Sequence, residues 1–328
     1  MKKTPKFILL FILTIFTSVL LTGCTDDNMD NIQIYVTNYA NEYITKELYG
    51  EHATVTSIYP DGIDITNYKV SDKQKKDYSK SDLFIYNGLI ERERNMAIDL
   101  LTLNPDLKII DSSDVLETDY SPEELWLNPS SLLMMAQNIR IGLEEYVSST
   151  YLKKDIDEAY DQLKIKLSEL DADYRLTVEN TTNKKIVVDN SALKYLEKFG
   201  LEVYCIDSDA TDKTISDVKN LIEEKKINYI YTFKNDNLSD NAKEILEEYA
   251  NIKRQELHKL DNISDEQRAN KDTYESLITE NLELLKQEIV AGNISIEEID
   301  EHVERILKFK KKVNRPKDQR DIIKLEEY

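Results

Sequence analysis

Apart from its many acids, this 328-residue chain carries few side chains that could do chemistry. Its imidazoles and thiols are three histidines and two cysteines: His52, His258, His302, Cys24 and Cys205. The chain has no G-x-S-x-G, no H-E-x-x-H, no Gly-rich phosphate loop and no diagnostic Cys/His spacing. Neighbouring acids such as Glu123 and Glu124 are too common among 63 Asp and Glu residues to indicate acid–base catalysis. The sequence therefore predicts a protein that is not an enzyme.

The composition excludes several classes of protein. Two cysteines make at most one disulfide, so a disulfide-stapled scaffold is excluded, and 7 Gly with 6 Pro exclude a collagen-like chain. The formal charge of −20 repels phosphate and disfavours a nucleic-acid partner. A hydrophobic fraction of 41% is enough for the core of one large domain or two ordinary ones.

The first 31 residues have the pattern of an export signal and a tether. Three early lysines precede an almost wholly apolar run over residues 7–21, which is short for a membrane-spanning helix. The run ends in Leu21-Thr22-Gly23-Cys24, which resembles the lipobox of bacterial lipoproteins. The resemblance implies a cleaved signal peptide (1–23), a lipidated Cys24, a polar tether (24–31) and a position on the extracytoplasmic face of the cell membrane. The alternative is an uncleaved anchor helix with a chance cysteine.

Cys205 lies within a short apolar run, residues 203–206. A lone cysteine in an exported protein can be a reactive thiol, but in such a run it is more often a small buried hydrophobe. We therefore expect Cys205 to be buried.

The rest of the chain alternates short apolar runs with stretches of helical period. Strands are predicted over 32–36, 53–58, 83–86, 107–110, 186–188, 201–206, 227–233 and 252–257. From Ser149 to Tyr174 apolar residues recur every three or four positions with no Gly or Pro, which predicts one long helix. This alternation predicts an α/β fold in which two βα lobes with parallel sheets are joined by one long backbone helix. The predicted boundaries are an N-terminal lobe (32–148), a linking helix (149–178) and a C-terminal lobe (179–290).

The C-terminal extension, residues 291–328, predicts an additional helix. Ser295 and Glu298 have capping-box spacing and precede an apolar stripe. The stretch from Gly292 to Lys310 resembles the closing helix of family-3 glycosidase barrels, but nothing else of that barrel is present, so no hydrolase chemistry is implied. We expect an amphipathic helix packed on the second lobe, with a partner-binding helix as the alternative.

Five segments, in order and spacing, resemble the substrate-binding lipoproteins of metal (zinc/manganese) ABC importers. Pro60 to Tyr68 is similar to that family's P-x-G-x-D/E-P-H-x-Y loop, and Ser81 to Gly88 is similar to its A-D-L-v-x-Y-N-G strand. Pro122 to Pro129 is similar to its D-P-H-x-W-L-(D/N)-P segment. Asp189 to Gly200 is similar to its H/E-x-x-F-x-Y region, and residues 272–282 are similar to its closing helix.

The resemblance implies a metal site, but this chain departs from the family's ligands. The family's two histidine positions hold Thr66 and Glu124 here, with an ambiguity of one residue toward Glu123. The His or Glu position of the second lobe holds Asn190, and the late acidic position holds Asp261. Only Asp261 matches the family's set without qualification. None of the three histidines falls on a ligand position, although His258 lies close enough to Asp261 for a combined metal role.

The substituted set offers a divalent metal ion oxygen atoms only. Zn²⁺ favours imidazole and thiolate, which puts zinc in doubt, whereas an all-oxygen set suits Ca²⁺, Mg²⁺ or Mn²⁺ better. Structural roles are the alternative for each residue. Thr66 and Asn190 are also typical of loop residues that satisfy local backbone groups, and Glu124 and Asp261 are also typical of solvated surface acids.

The resemblance implies an extracytoplasmic solute-binding lipoprotein of an ABC importer, which is monomeric and delivers a divalent metal ion to a permease. The implied mechanism is differential affinity, because bound solute favours the lobe arrangement that the permease recognises. The alternative is a surface lipoprotein that kept the scaffold, lost metal binding and acts as an interaction or adhesion module. The missing histidines are the observation behind that alternative.

Overall fold

The computed structural model describes residues 29–289. The signal peptide, Cys24, most of the tether, His302 and the 291–328 extension lie outside the described residues. Within the described part, no helix combines the length and the apolar character needed to cross a bilayer.

The first lobe is a parallel four-stranded sheet covered by helices. Its strands are β1 (Ile32–Val36), β2 (Ala53–Ser57), β3 (Leu83–Tyr86) and β4 (Lys108–Asp111), in the spatial order β2-β1-β3-β4. Its helices are α1 (Tyr39–Tyr49), α2 (Asp72–Tyr78), α3 (Glu91–Leu103), α4 (Glu124–Leu127) and α5 (Pro129–Tyr146). The central strand β3 is apolar on both faces, as a sheet covered on both sides requires, whereas one face of β1 carries the half-buried Gln33.

One long helix, α6 (Thr150–Glu179), joins the two lobes and packs against both. Ser149 caps its first turn by accepting a hydrogen bond from the Leu152 amide. The apolar stripe continues past Tyr174 to the buried Val178, the last residue of the linking helix predicted from the sequence. Its 30 residues span about 45 Å at 1.5 Å per residue.

The second lobe repeats the parallel architecture. Its strands are β5 (Lys185–Val188), β6 (Glu202–Cys205), β7 (Tyr229–Phe233) and β8 (Lys253–Leu257), in the order β6-β5-β7-β8. Its α-helices are α7 (Asp212–Glu223), α8 (Asp240–Glu248), α9 (Asp265–Asn270) and α10 (Tyr274–Ile289). Between β5 and β6 lies a 3-10 helix, Ser191–Phe199, which ends at Gly200 with a φ of 94°.

The core and the strand ends set the position of any site. One hydrophobic cluster contains side chains from both lobes and from α6, so the lobes share a packed core. In each sheet the first strand lies between two later ones, which creates a switch point at the carboxyl ends of its strands. Solutes of open α/β sheets bind at such points.

Candidate functional site

A cavity of about 430 Å³ lies between the lobes, at the carboxyl ends of their strands. The first lobe contributes residues 62–64 from the loop after β2. The second lobe contributes residues 234–237 after β7 and residues 258–264 after β8. The lining is rich in carboxylate, amide and ammonium groups, so the cavity is suited to a hydrophilic solute.

Lys259 is a cation in the cavity wall that lies near two carboxylates. Its ammonium nitrogen lies 3.5 Å from a carboxylate oxygen of Asp261 and 3.9 Å from one of Asp236. Burial raises the pKa of both carboxyls, and the charge of Lys259 opposes that rise. Burial in turn works to lower the pKa of Lys259, but Asp261, Asp236 and Glu123 outweigh it and raise that pKa. Asp261, a predicted metal ligand, therefore already has a cationic partner within the chain.

Glu124, the second predicted carboxylate ligand, is paired with a different lysine. Its side chain is 1% exposed and accepts a hydrogen bond from the ammonium of Lys198, which follows β5 on the 3-10 helix. Lys198 also lies 3.1 Å from a carboxylate oxygen of Asp119. The Asp119 amide donates to the other oxygen of Glu124 at 3.1 Å. Glu124 is therefore a buried, ion-paired side chain that links α4 to the second lobe.

Asn190 and Thr66 have local hydrogen-bonding roles. The Asn190 side-chain oxygen accepts the Ala192 amide at 3.0 Å and so caps the 3-10 helix. Its amide nitrogen lies 3.3 Å from a carboxylate oxygen of Asp236. Thr66 is exposed, and its backbone amide donates to Asp64 at 2.8 Å. It is Asp64, not Thr66, that lines the cavity.

The structure thus brings two of the four predicted residues near one another, through a residue that sequence reasoning missed. Asp236 contacts Asn190 directly and shares Lys259 with Asp261. It lies in the loop after β7, as Asn190 lies in the loop after β5. Because β5 and β7 are neighbours, their following loops meet at the switch point, and this placement is the signal that could have identified Asp236.

The described histidines have other partners. The imidazole of His258 lies 2.9 Å from a Glu280 oxygen through Nε2, and 3.2 Å from the Gln267 side-chain nitrogen through Nδ1. His52 lies 3.2 Å from Asp30 and 3.6 Å from Asp155, on the far side of the first lobe from β2's carboxyl end. Within residues 29–289 no three His, Cys, Asp or Glu side chains are arranged to hold a metal ion.

Cys205, at the end of β6, packs against the shared core and is only partly exposed. Burial raises the pKa of its thiol to about 12. The thiol is therefore protonated at neutral pH, which is typical of a structural cysteine.

Comparison with known proteins decides the family. The family described as "Zinc-uptake complex component A periplasmic" matches residues 34–288. The chain belongs to this family. Membership confirms the resemblance seen in the sequence. The family's description names a component of an uptake complex and no enzymatic activity, which agrees with the prediction that the chain is not an enzyme.

Individual family members are distant relatives. The zinc-binding lipoprotein AdcA of Streptococcus pneumoniae is 22% identical over 298 residues, which cover 82% of this chain and 58% of AdcA. The chain therefore spans less than two thirds of that relative's length. The manganese ABC transporter substrate-binding lipoprotein PsaA of the same species is 26% identical over 220 residues, which cover 60% of this chain and 69% of PsaA.

Solved structures of family members share the fold. The Zn(II)-bound ZnuA-like domain of Streptococcus pneumoniae AdcA superposes with a TM-score of 0.65 at 23% identity, covering 79% of this chain and 99% of the domain. The metal-dependent lipoprotein YcdH of Bacillus subtilis superposes with a TM-score of 0.66 at 19% identity, covering 80% of this chain and 100% of its own. The predicted fold class, two parallel βα lobes joined by a long helix, is confirmed.

Proposed function

We propose that this chain is the extracytoplasmic solute-binding component of an ABC importer, and that its cleft does not capture a zinc or manganese ion in its resting form. The observation that supports the second part is the pairing of both predicted carboxylate ligands with lysines. Glu124 is paired with Lys198 and Asp261 with Lys259. An ammonium on each carboxylate neutralises the charge that a divalent ion would otherwise neutralise.

The remaining parts of the proposal come from the family and from the N-terminal sequence. Relatives named as zinc-binding and manganese ABC transporter lipoproteins support an ABC permease as the partner. The Leu-Thr-Gly-Cys sequence supports a lipid anchor on Cys24 at the outer face of the cell membrane. We place the folded lobes at 32–148 and 179–290, with 149–178 between them, and we propose that the chain acts as a monomer.

A second candidate function is binding of a hard divalent cation that displaces Lys259. The lysine nitrogen lies 3.5 and 3.9 Å from its two carboxylate partners, which is longer than a direct hydrogen bond. Displacement would leave carboxylate oxygens of Asp236 and Asp261 and the amide of Asn190 near one another, a set suited to Ca²⁺ or Mn²⁺. This candidate keeps the family's metal-import role but changes the ion.

Thermal unfolding of the metal-stripped mature chain separates these functions. We expect no change in the wild-type unfolding midpoint with Zn²⁺, Mn²⁺, Ca²⁺ or Mg²⁺. Lys259→Met should lower the midpoint, because Asp236 and Asp261 then face one another without a cation. An added divalent cation should raise the variant's midpoint again. A cation at 100 times its dissociation constant adds about 2.7 kcal/mol, which corresponds to a few degrees.

Lys234→Met is the matched control, because it removes a lysine from the same cavity wall at a greater distance from Asp261 in sequence. It should not create sensitivity to cations. A saturable rise in the wild-type midpoint that Asp261→Ala abolishes would overturn the proposal. If Ca²⁺ or Mn²⁺ caused the rise, the second candidate function would replace the first. If Zn²⁺ caused it, the cleft would bind zinc, as the name of AdcA says of that protein.

A further inference from the structure

Two loops from different lobes meet along one wall of the cleft. They are residues 60–63, after β2, and residues 261–264, after β8; together we call them the seam. The Gly62 amide donates to the Ile263 carbonyl oxygen at 2.8 Å. The side-chain amide of Asn262 donates to two carbonyl oxygens of the first loop, each at 3.0 Å. The seam therefore joins the lobes by direct hydrogen bonds.

The guanidinium of Arg268 closes the seam on its outer side. Arg268 lies on α9 in the second lobe, and both of its acidic partners lie in the first lobe. Its Nε and Nη2 donate to the two carboxylate oxygens of Asp61 at 2.5 and 2.7 Å. Its Nη1 and Nη2 donate to the two oxygens of Glu42, on α1, at 2.8 and 3.2 Å. One side chain thus makes a two-point contact with each of two carboxylates.

The surroundings make these contacts stronger than an exposed ion pair. The side chain of Glu42 is 4% exposed, that of Asp61 is 19% exposed, and that of Arg268 is 39% exposed. The hydrogen bonds that Arg268 donates to Asp61 and Glu42 raise the pKa of Arg268 above its ordinary range. Planar two-point pairing of a guanidinium with a carboxylate is among the strongest charge-assisted arrangements, and a lysine cannot reproduce it.

The seam leads directly into the cavity. The chain passes from Asp61 into residues 62–64, which line the cavity, and residues 261–264 line it beside them. We infer that Arg268 is an interlobe clamp, which binds Glu42 and Asp61 and so holds this wall of the cleft closed by ion pairs within the chain. The clamp needs neither a metal ion nor a solute, and it sets how often this wall opens.

Hydrogen exchange of the full mature chain tests the clamp. In Arg268→Gln, the amides of Gly62 and Tyr39 should exchange about tenfold faster than in the wild type. Local opening of the wild type has to break the charged contacts of Arg268, and opening of the variant does not. Both amides donate across the lobes, Tyr39 to the Asp261 carbonyl oxygen at 3.0 Å. Exchange at Val187, in the buried strand β5, should not change, which shows that the fold is intact.

Arg175→Gln is the matched control. Arg175 pairs with Asp171 at 2.7 Å within one helix, so its loss should leave the seam amides unchanged. Arg268→Lys keeps the charge but loses the planar two-point contact, and it should give an exchange rate between those of the wild type and Arg268→Gln. Wild-type exchange at the seam should also accelerate as salt rises from about 0.05 M to about 1 M, but not in Arg268→Gln.

If Gly62 and Tyr39 exchange at the same rates in Arg268→Gln as in the wild type, the clamp proposal is wrong. If that variant does not fold, Asp61→Asn, which leaves the Glu42 contact in place, applies the same criterion. The result is independent of cation binding, because every measurement is made on metal-stripped protein.

Discussion

Replacing Lys198 with Met is expected to lower the free energy of unfolding by about 2–3 kcal/mol. Glu124 is 1% exposed, so removal of Lys198 leaves a buried carboxylate with the Asp119 amide as its remaining described partner. Loss of one member of a fully buried pair costs about 3–5 kcal/mol, and the 35% exposure of the Lys198 side chain lowers that figure through solvent screening. Urea unfolding at pH 7 measures the change.

Lys194→Met provides a control on the same 3-10 helix. The Lys194 ammonium lies 4.6 Å from the centroid of the Tyr120 ring, a contact worth about 1 kcal/mol or less at a partly exposed site. The double variant Glu124→Gln/Lys198→Met should recover part of the stability lost in Lys198→Met, because no unpaired charge remains buried. Equal stability of the two lysine variants would show that the Glu124–Lys198 pair does not contribute as described.

Local pattern was sufficient to predict the fold. Residues 83–86 and 32–36 were predicted with their observed bounds. The first is a continuous apolar run, as a strand buried on both faces requires, and in the second buried and half-buried residues alternate. The long helix was predicted because its buried residues form one apolar stripe at helical spacing that reaches Val178. The 3-10 geometry of residues 191–199 was not predicted, because 3-10 and α-helices share an apolar pattern over so short a stretch.

One ion pair at the predicted ligands was harder to predict because Lys198 meets Glu124 across the fold. Lys198 is separated from Glu124 by 74 positions. No local period indicates that the two side chains meet, since the 3-10 helix that carries Lys198 contacts α4 only in the folded protein. Lys259 lies only two positions before Asp261, but no local pattern shows that Asp236 also lies near it. The charge state of the cleft is therefore a tertiary property of this chain.

A buried acid in the first lobe gives the second large expected effect. Glu93, in the first turn of α3, is fully buried and accepts hydrogen bonds from groups that follow β1 and β3. Its Oε2 accepts from the Thr37 hydroxyl and from the Asn87 amide, the latter at 2.9 Å, and its Oε1 accepts from the Asn38 side chain at 3.3 Å. Burial raises the pKa of Glu93 to about 7, although these hydrogen bonds oppose the rise.

The pKa of Glu93 predicts the direction in which stability changes with pH. Between about pH 4.5 and 7 the folded protein holds a proton on Glu93 that the unfolded chain has released. The stability that this proton contributes is complete below the pKa of Glu93 in the unfolded chain and is lost as pH rises through its pKa in the folded protein. We expect the difference in unfolding free energy between wild type and Glu93→Gln to change by about 3 kcal/mol from pH 5 to pH 8. Contributions from other acids cancel in this difference.

Glu91→Gln, at an exposed site in the same turn, should follow the wild-type pH profile. Parallel profiles for wild type and Glu93→Gln would mean that Glu93 is ionised in the folded protein at pH 5. Its carboxylate would then be stabilised by Thr37, Asn38 and Asn87 strongly enough to overcome complete burial.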